Sequence, residues 1–291
     1  MNPFESASLL EDAEPLDRVA TPIRDLTRRL LGSSTLRNLL HGVWLGHPLH
    51  PVLVQVPVGA FASAGVLDLL KGHERSADVL VATGVATALP AAAAGLADWS
   101  EMHEQQQRVG VVHAAANTVA LALYGASLAA RGRGDRTAGR ALGFLGLGVI
   151  GFSGFLGGHL AYRQAAGANH AEDVPHLVGP GWHDLCAVDD LGADGEPRVR
   201  TLGEGAGAVP LLVVRRGDRI DVLSDRCTHL AGPLHEGRVD LDTGCVTCPW
   251  HGSAFDLEDG SVRQGPATAP AHAFDVKVEN GRLLVRLPHA G

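Results

Sequence analysis

Cys227-Thr228-His229-Leu230 and Cys248-Pro249-Trp250-His251-Gly252-Ser253 stand near the C-terminal end of a 291-residue chain, with 18 residues between His229 and Cys248. Each stretch offers one thiolate and one imidazole. Two chemistries use such a set. All four side chains can converge on a single structural zinc ion. Alternatively they divide between the two irons of an unsymmetrical [2Fe–2S] cluster, Cys227 and Cys248 on one iron, His229 and His251 on the other. Imidazole ligands carry no charge, so such a cluster is less negative and easier to reduce than an all-cysteine one. A centre of that kind is an electron carrier rather than a clip.

The flanks continue the pattern with Phe255-Asp256, Asp259-Gly260 and Gly265-Pro266-Ala267. With these residues the segment resembles the Rieske family over roughly residues 180–288. The resemblance implies that two Cys-His loops clamp the cluster through Cys227, His229, Cys248 and His251, and that a proline-bearing loop, Gly265 to Pro270, covers it. It also places the chain within the family. The respiratory branch pairs an extra cysteine from each loop as a disulfide, and Gly232 and Trp250 stand at those positions here. That branch also has a tyrosine whose hydroxyl bonds a ligand sulfur, and Phe255 stands there instead. Hydrogen bonds to sulfur raise the potential, so the expected potential lies below the respiratory type. Ser253 keeps one hydroxyl donor for a cluster sulfide.

Charge and cysteines are unevenly placed. Residues 1–170 hold 13 Lys+Arg and 13 Asp+Glu, while residues 171–291 hold 11 and 19 and so carry the whole net charge of −8. An acidic redox domain suits a basic partner through long-range steering, though solubility alone also explains the acids. Nucleic acid, which needs a basic face, is excluded as a partner. The four cysteines are Cys186, Cys227, Cys245 and Cys248. With two assigned as ligands, Cys245 reads as a buried strand residue and Cys186 as core, and no disulfide framework is implied.

Upstream, residues 51–67, 79–97, 109–130 and 141–162 contain no Asp, Glu, Lys or Arg. A helix crossing a bilayer core needs about 20 apolar residues, and four such runs in a row read as four transmembrane spans. Gly154 and Gly158 form a small-xxx-small pair for close helix packing. Pro57 and Pro90 are expected to kink their helices. Residues 20–45, with Arg24, Arg28, Arg29 and Arg37, read as an amphipathic helix suited to the membrane surface or to capping the bundle. Runs such as Pro210 to Val214, Ile220 to Leu223 and Leu283 to Leu287 fit a small antiparallel β domain. Gly46-His47-Pro48-Leu49-His50-Pro51, Asp68, Asp98-Trp99 and Gly157-Gly158-His159 resemble a bacterial family of uncharacterised four-helix membrane domains, over roughly residues 40–165. That resemblance implies a fold and no mechanism.

Four spans return the chain to the side on which it began. Alternation then gathers His50, His113 and His159 in one leaflet, together with the loop bearing Asp98, Glu101 and His103, while His73 lies opposite. Ionisable groups inside a membrane are costly and tend to be functional. These imidazoles suit a b-type haem, a quinone site or a metal; they also suit plain bonding to backbone or head groups. Asp68 reads as a helix-end charge.

Orientation is divided. Lys71, Arg75, Arg131, Arg133, Arg136 and Arg140 lie on the side opposite the termini, which the positive-inside rule would make cytoplasmic. Clusters, however, are normally inserted in the cytoplasm. Thr27-Arg28-Arg29-Leu30-Leu31 is a faint twin-arginine pattern with its apolar partner too distant, and no cleavable signal peptide is apparent. The expectation is therefore a cytoplasmic cluster domain on an integral protein of the bacterial cytoplasmic membrane.

The expected organisation is multidomain: an N-terminal segment 1–45 with an amphipathic helix, an α-helical four-span bundle 46–165, a linker 166–181, and an all-β [2Fe–2S] domain 182–291. The leading function is a membrane-anchored single-electron carrier between a redox donor and a membrane or soluble acceptor, with the lipid bilayer and a redox protein or small molecule as partners. The alternative is a complete quinol or haem oxidoreductase using the transmembrane histidines. An oxygenase catalytic subunit is disfavoured, because the forty residues after His251 cannot hold its second iron site. A redox sensor lacks an output domain.

Overall fold

A computed structural model describes residues 3–288. The chain divides into two units. One comprises the residues up to Ser33 together with Pro48–Ala166, and the other comprises Ser34–His47 together with the chain from Gly167 onward.

The first unit is helical. It holds α1 (Pro3–Glu11), α2 (Asp17–Leu30), a one-turn α4 (His50–Leu53) leading into α5 (Gln55–Asp68), then α6 (Glu74–Ser100), α7 (Glu104–Gly132) and α8 (Arg136–Gly158). Four stretches, His50–Asp68, Glu74–Ser100, Glu104–Gly132 and Arg136–Arg163, are long and apolar enough to cross a bilayer. The helices begin and stop where local chemistry requires. His103 and Gln106 form a reciprocal capping box at the start of α7, and the Asp135 side chain caps α8 through Ala138 N–H. Each satisfies backbone donors that the first turn leaves unpaired. Pro57 falls in the first turn of α5, where no intrahelical donor is lost; Pro90 sits inside α6 and does remove one.

Small residues let the spans approach. Phe61 and Tyr124 stack with ring centres 3.7 Å apart. A Cβ at Gly84 would lie 2.5 Å from Phe61 Cε1, and one at Gly146 would lie 2.9 Å from Tyr124 Cε2. At the end of the bundle where α5 meets α6 and α7 meets α8, Arg131 makes a bidentate pair with Asp68, both buried, and also reaches Asp78 at 3.1 Å. Arg136 holds Asp78 at 2.6 Å. Asp68 is therefore not a lone helix-end charge but the centre of an ion network joining all four spans. At the other end, Arg108 binds Asp17 at 2.7 and 2.8 Å and Arg28 reaches Glu101 at 2.9 Å, which seats α2 on the bundle.

The second unit is an all-β domain. One six-stranded antiparallel sheet has the order β1 (His183–Ala187), β10 (Arg282–Arg286), β9 (Ala273–Glu279), β4 (Arg219–Ser224), β3 (Val209–Arg216) and β2 (Arg198–Leu202). A four-stranded sheet runs β5 (Arg238–Asp240), β6 (Cys245–Thr247), β7 (Ala254–Asp256) and β8 (Val262–Gln264). Inward residues of β3 and β4 fill two cores. Leu211, Val213 and Val222 pack with Leu283 and Val285; Leu212 and Leu223 pack with Val246, Phe255 and the two cysteines Cys227 and Cys248. The second core thus includes Cys227 and Cys248 themselves. Cys186 is buried in the first core, where burial pushes its thiol up. Cys245 lies half-buried on β6.

Two stretches sit elsewhere than the sequence reading placed them. The expected 20–45 helix is two elements, α2 and a separate α3 (Ser34–His41), broken at Gly32-Ser33. Of these, α3 belongs to the β unit rather than to the N-terminal segment. The stretch read as a linker is also integrated: Ala171 and Val174, the latter in the one-turn α9 (Val174–Leu177), are fully buried in the first β core. Because residues 34–47 and the chain from 167 form one unit, an even number of crossings must separate them, and four spans meet that requirement.

Candidate functional site

Two loops carry the ligand motifs, one after β4 and one between β6 and β7, and they share one backbone design. In the first, Cys227 N–H donates to Gly232 O at 2.9 Å and Ala231 N–H donates to Cys227 O at 2.8 Å. In the second, Cys248 N–H donates to Ser253 O at 2.8 Å and Gly252 N–H donates to Cys248 O at 3.2 Å. The fourth residue after each cysteine is left-handed, Ala231 at φ 60° and Gly252 at φ 74°. The turn aims backbone amides at the sulfurs: His229 and Leu230 N–H at Cys227, Trp250 and His251 N–H at Cys248. Such amides stabilise thiolate charge.

The loops bring the side chains together in pairs. Cys227 and Cys248, 2% and 3% exposed, share a hydrogen bond. That bond and burial hold the Cys227 proton, while Cys248 is drawn below the usual thiol range. His229 and His251 are half-buried, with ring centres 5.1 Å apart and planes at 85°. Two imidazoles on one metal at about 2 Å and a tetrahedral angle have ring centres on the order of 5 Å apart. Among the described residues, no three His, Cys, Asp or Glu side chains converge where one ion could hold them. A thiolate pair inside and an imidazole pair outside therefore fit the two irons of a [2Fe–2S] cluster and not a single zinc. When bound, such a cluster takes up and releases one electron.

Gly232 and Trp250, the two positions of the absent disulfide, lie side by side. A Cβ on Gly232 would lie 2.9 Å from Cys248 Sγ and 3.0 Å from the Trp250 ring. The Trp250 side chain, 48% exposed, fills the place where a disulfide would bridge the loops. Phe255 is fully buried behind the cysteines and offers no hydroxyl.

The covering loop, which includes the cis Gly265–Pro266 bond, is pinned from several directions. Ser253 Oγ accepts Ala267 N–H at 2.9 Å, Thr228 Oγ1 donates to Ala269 O at 2.7 Å, and Gln264 Nε2 donates to Gly252 O at 3.0 Å. Ser253 thus holds the loop with its oxygen and retains its own proton to donate. On the outer side α3 lies against the loop. Asn38 Oδ1 accepts Gly265 N–H at 3.0 Å and its Nδ2 donates to Arg263 O at 3.2 Å. His41 is fully buried, and a Cβ on Gly265 would meet Val43 Cγ2 at 3.1 Å. Neither Asn38 nor Thr228 was singled out from the sequence; the motif adjacency of Thr228 could have flagged it, whereas nothing local marks Asn38. Behind the first loop, Asp225 accepts both the backbone N–H of His235 and its Nδ1–H, at 2.7 and 2.6 Å, and burial pushes its carboxyl above the usual range.

In the bundle, the structure brings His50 and His113 together and pairs His159 with Glu11 instead. The His50 and His113 rings lie 6.4 Å apart, edge to face. His159 is buried and bonds Glu11 through Nε2 at 2.7 Å.

The comparisons with known proteins agree with this division. Residues 181–279 match a family model described as the Rieske [2Fe-2S] domain, and residues 46–170 match one described as a predicted membrane protein (DUF2231). The ferredoxin CarAc of Metapseudomonas resinovorans is 36% identical over 104 residues, 36% of this chain and 92% of that protein. The anthranilate 1,2-dioxygenase ferredoxin subunit of Burkholderia cepacia is 34% identical over 106 residues, 36% of this chain and 92% of that protein. A solved complex of reduced oxygenase and oxidized ferredoxin in carbazole 1,9a-dioxygenase contains a chain 35% identical, with a TM-score of 0.32; 36% of this chain and 92% of that one are covered.

Proposed function

Because the chain belongs to the Rieske [2Fe–2S] family, we propose that it is a membrane-anchored carrier of single electrons, passing them between a redox donor and a protein acceptor. One observation supports this above the others: the thiol pair is buried against the core while the imidazole pair is half-exposed. Cys227 and Cys248 would hold the inner iron, and His229 and His251 the outer one. Electrons would then enter and leave through the imidazole edges beside exposed Trp250. Two relatives are ferredoxin components by name, one of them an anthranilate 1,2-dioxygenase subunit, which supports a redox protein as partner. The excess of acid in residues 171–291, 19 against 11 basic residues, would steer a basic partner.

The missing disulfide and the apolar Phe255 support a potential below the respiratory Rieske type. The proposed side of the β unit is cytoplasmic, supported by the site of cluster assembly and opposed by the arginines at the far helix ends.

The test is electron paramagnetic resonance and iron analysis of the full chain purified in detergent. A reduced Rieske signal with two irons per chain, lost in His229→Ala, is expected. Zinc in place of iron, or a signal that survives His229→Ala, overturns the reading.

A further inference from the structure

We propose that the helical unit binds a b-type haem, with the iron held between Nε2 of His50 and Nε2 of His113. The inference does not rest on the cluster. It rests on four features of the two histidines.

The first is spacing. His50 opens the first span and His113 lies in the third, yet their ring centres are 6.4 Å apart with planes at 84°. Two imidazoles on opposite faces of one iron, each at about 2 Å, have ring centres on the order of 6 Å apart.

The second is orientation. His50 Nδ1 lies 2.8 Å from Ala91 O, and His113 Nδ1 lies 2.8 Å from Ser153 O. Each is a helix carbonyl, so each Nδ1 carries the proton as a donor. With the Nδ1 proton placed on a carbonyl, Nε2 is the nitrogen of each ring left to ligate a metal.

The third is room. A Cβ on Gly95 would lie 2.7 Å from His50 Nδ1, and one on Gly157 would lie 3.3 Å from His113 Cε1. The His50 ring occupies its place only because position 95 has no side chain, and position 157 leaves His113 the same freedom.

The fourth is ligand number. Among the described residues no third His, Cys, Asp or Glu joins the pair to hold an ion, and His159 is engaged with Glu11. A bare first-row ion takes about four ligands. Haem iron receives four nitrogens from its macrocycle and asks the protein for one or two. Two imidazoles contributed by two apolar spans therefore suit haem rather than a free ion. Asn117 Nδ2 lies 3.1 Å from His113 Nε2; this neutral contact is weak beside an iron–imidazole bond, and one side-chain rotation releases it.

The experiment uses the full chain, produced in cells supplied with a haem precursor and purified in detergent. Haem is assayed as the pyridine haemochrome, with ferric resonance spectra on the same sample. One b-type haem per chain with a low-spin bis-imidazole signature is expected. His50→Ala and His113→Ala should each reduce haem to background, while the Rieske resonance reports an intact β unit and monodisperse elution in detergent reports an intact helical one. Should either variant fail to fold, His50→Met keeps a ligand in place and should convert the signature to a mixed histidine–methionine one. His159→Gln should retain haem. A wild-type chain without haem under these conditions, including one that co-purifies with quinone instead, overturns the proposal. So does full haem retention in the His50→Ala/His113→Ala double variant.

Discussion

Asn38 brackets Gly265: its carbonyl oxygen takes the glycine N–H at 3.0 Å, and its amide nitrogen reaches back to Arg263 O at 3.2 Å. One side chain thus satisfies a donor and an acceptor at the end of β8, as a neighbouring strand would. Asn38→Ala leaves both groups without that partner, and each lost bond costs about 1 kcal/mol. The expected result is a β unit destabilised by roughly 2 kcal/mol and a cluster that bleaches sooner on heating. Following the visible absorbance of the cluster through a thermal ramp checks this; an unchanged bleaching profile would contradict a clamp.

The two cysteine turns differ at one position in a way that predicts opposite substitutions. Ala231 holds φ 60° where its counterpart is Gly252. A left-handed non-glycine residue is strained by about 1–2 kcal/mol, so Ala231→Gly is expected to stabilise the unit by up to about 1 kcal/mol once glycine's extra unfolded-state freedom is counted. Gly232→Ala, one residue later, places a methyl 2.9 Å from Cys248 Sγ. It should lower iron content per chain. Denaturant titration of the first variant and iron analysis of the second separate the effects.

The buried Arg131–Asp68 pair predicts a non-additive double substitution. Arg131→Leu leaves buried Asp68 with only the longer contact to Arg140 at 3.7 Å, and breaking a buried pair in this way costs about 3–5 kcal/mol. Replacing both with leucine removes that carboxylate and should recover much of that loss, although Asp78 still loses one partner at 3.1 Å. Thermal stability in detergent of the two singles and the double tests the coupling; additive losses would rule it out.

Ser253 joins the covering loop to the cluster pocket. A hydrogen bond stronger in one redox state by about 0.5–1.5 kcal/mol shifts a one-electron potential by roughly 20–60 mV. Ser253→Ala is expected to lower the potential by that amount. Thr228→Val, which loses only the bond to Ala269 O at 2.7 Å, should loosen the loop and leave the potential nearly unchanged. A redox titration of both variants gives the comparison.

The two Cys-His motifs and the four apolar spans were legible because both are local signals. Cys227, His229, Cys248 and His251 are read from spacing within short motifs, and a span is a run of charge-free residues. What stayed hidden depends on contacts between distant residues. Asp68 carries no mark of Arg131, 63 positions away, and Glu11 lies 148 positions from the His159 it binds. The assignment of α3 to the β unit is the same case: Leu36, Leu39 and Arg37 give it the pattern of any amphipathic surface helix, and the groups that decide its place are Asn38 and the backbone of β8. Span alternation placed His50, His113 and His159 in one leaflet, whereas the pairing of the first two and the carbonyls that orient each ring are invisible without the helices.

The separation of Asn38 from Gly265 by 227 positions imposes an order on biosynthesis. The ribosome delivers α3 before the first span and the loop it grips only after the last β hairpin but one. Until then α3 has no seat, and the apolar faces of His41 and Val43 wait in solvent or on the bilayer. Closing a loop of that length is slow relative to local folding. Completion of the cluster domain therefore follows synthesis of all four spans. A chain that stalls before Gly265 is translated cannot form its clamp, so the clasp reports that the membrane part has already been made.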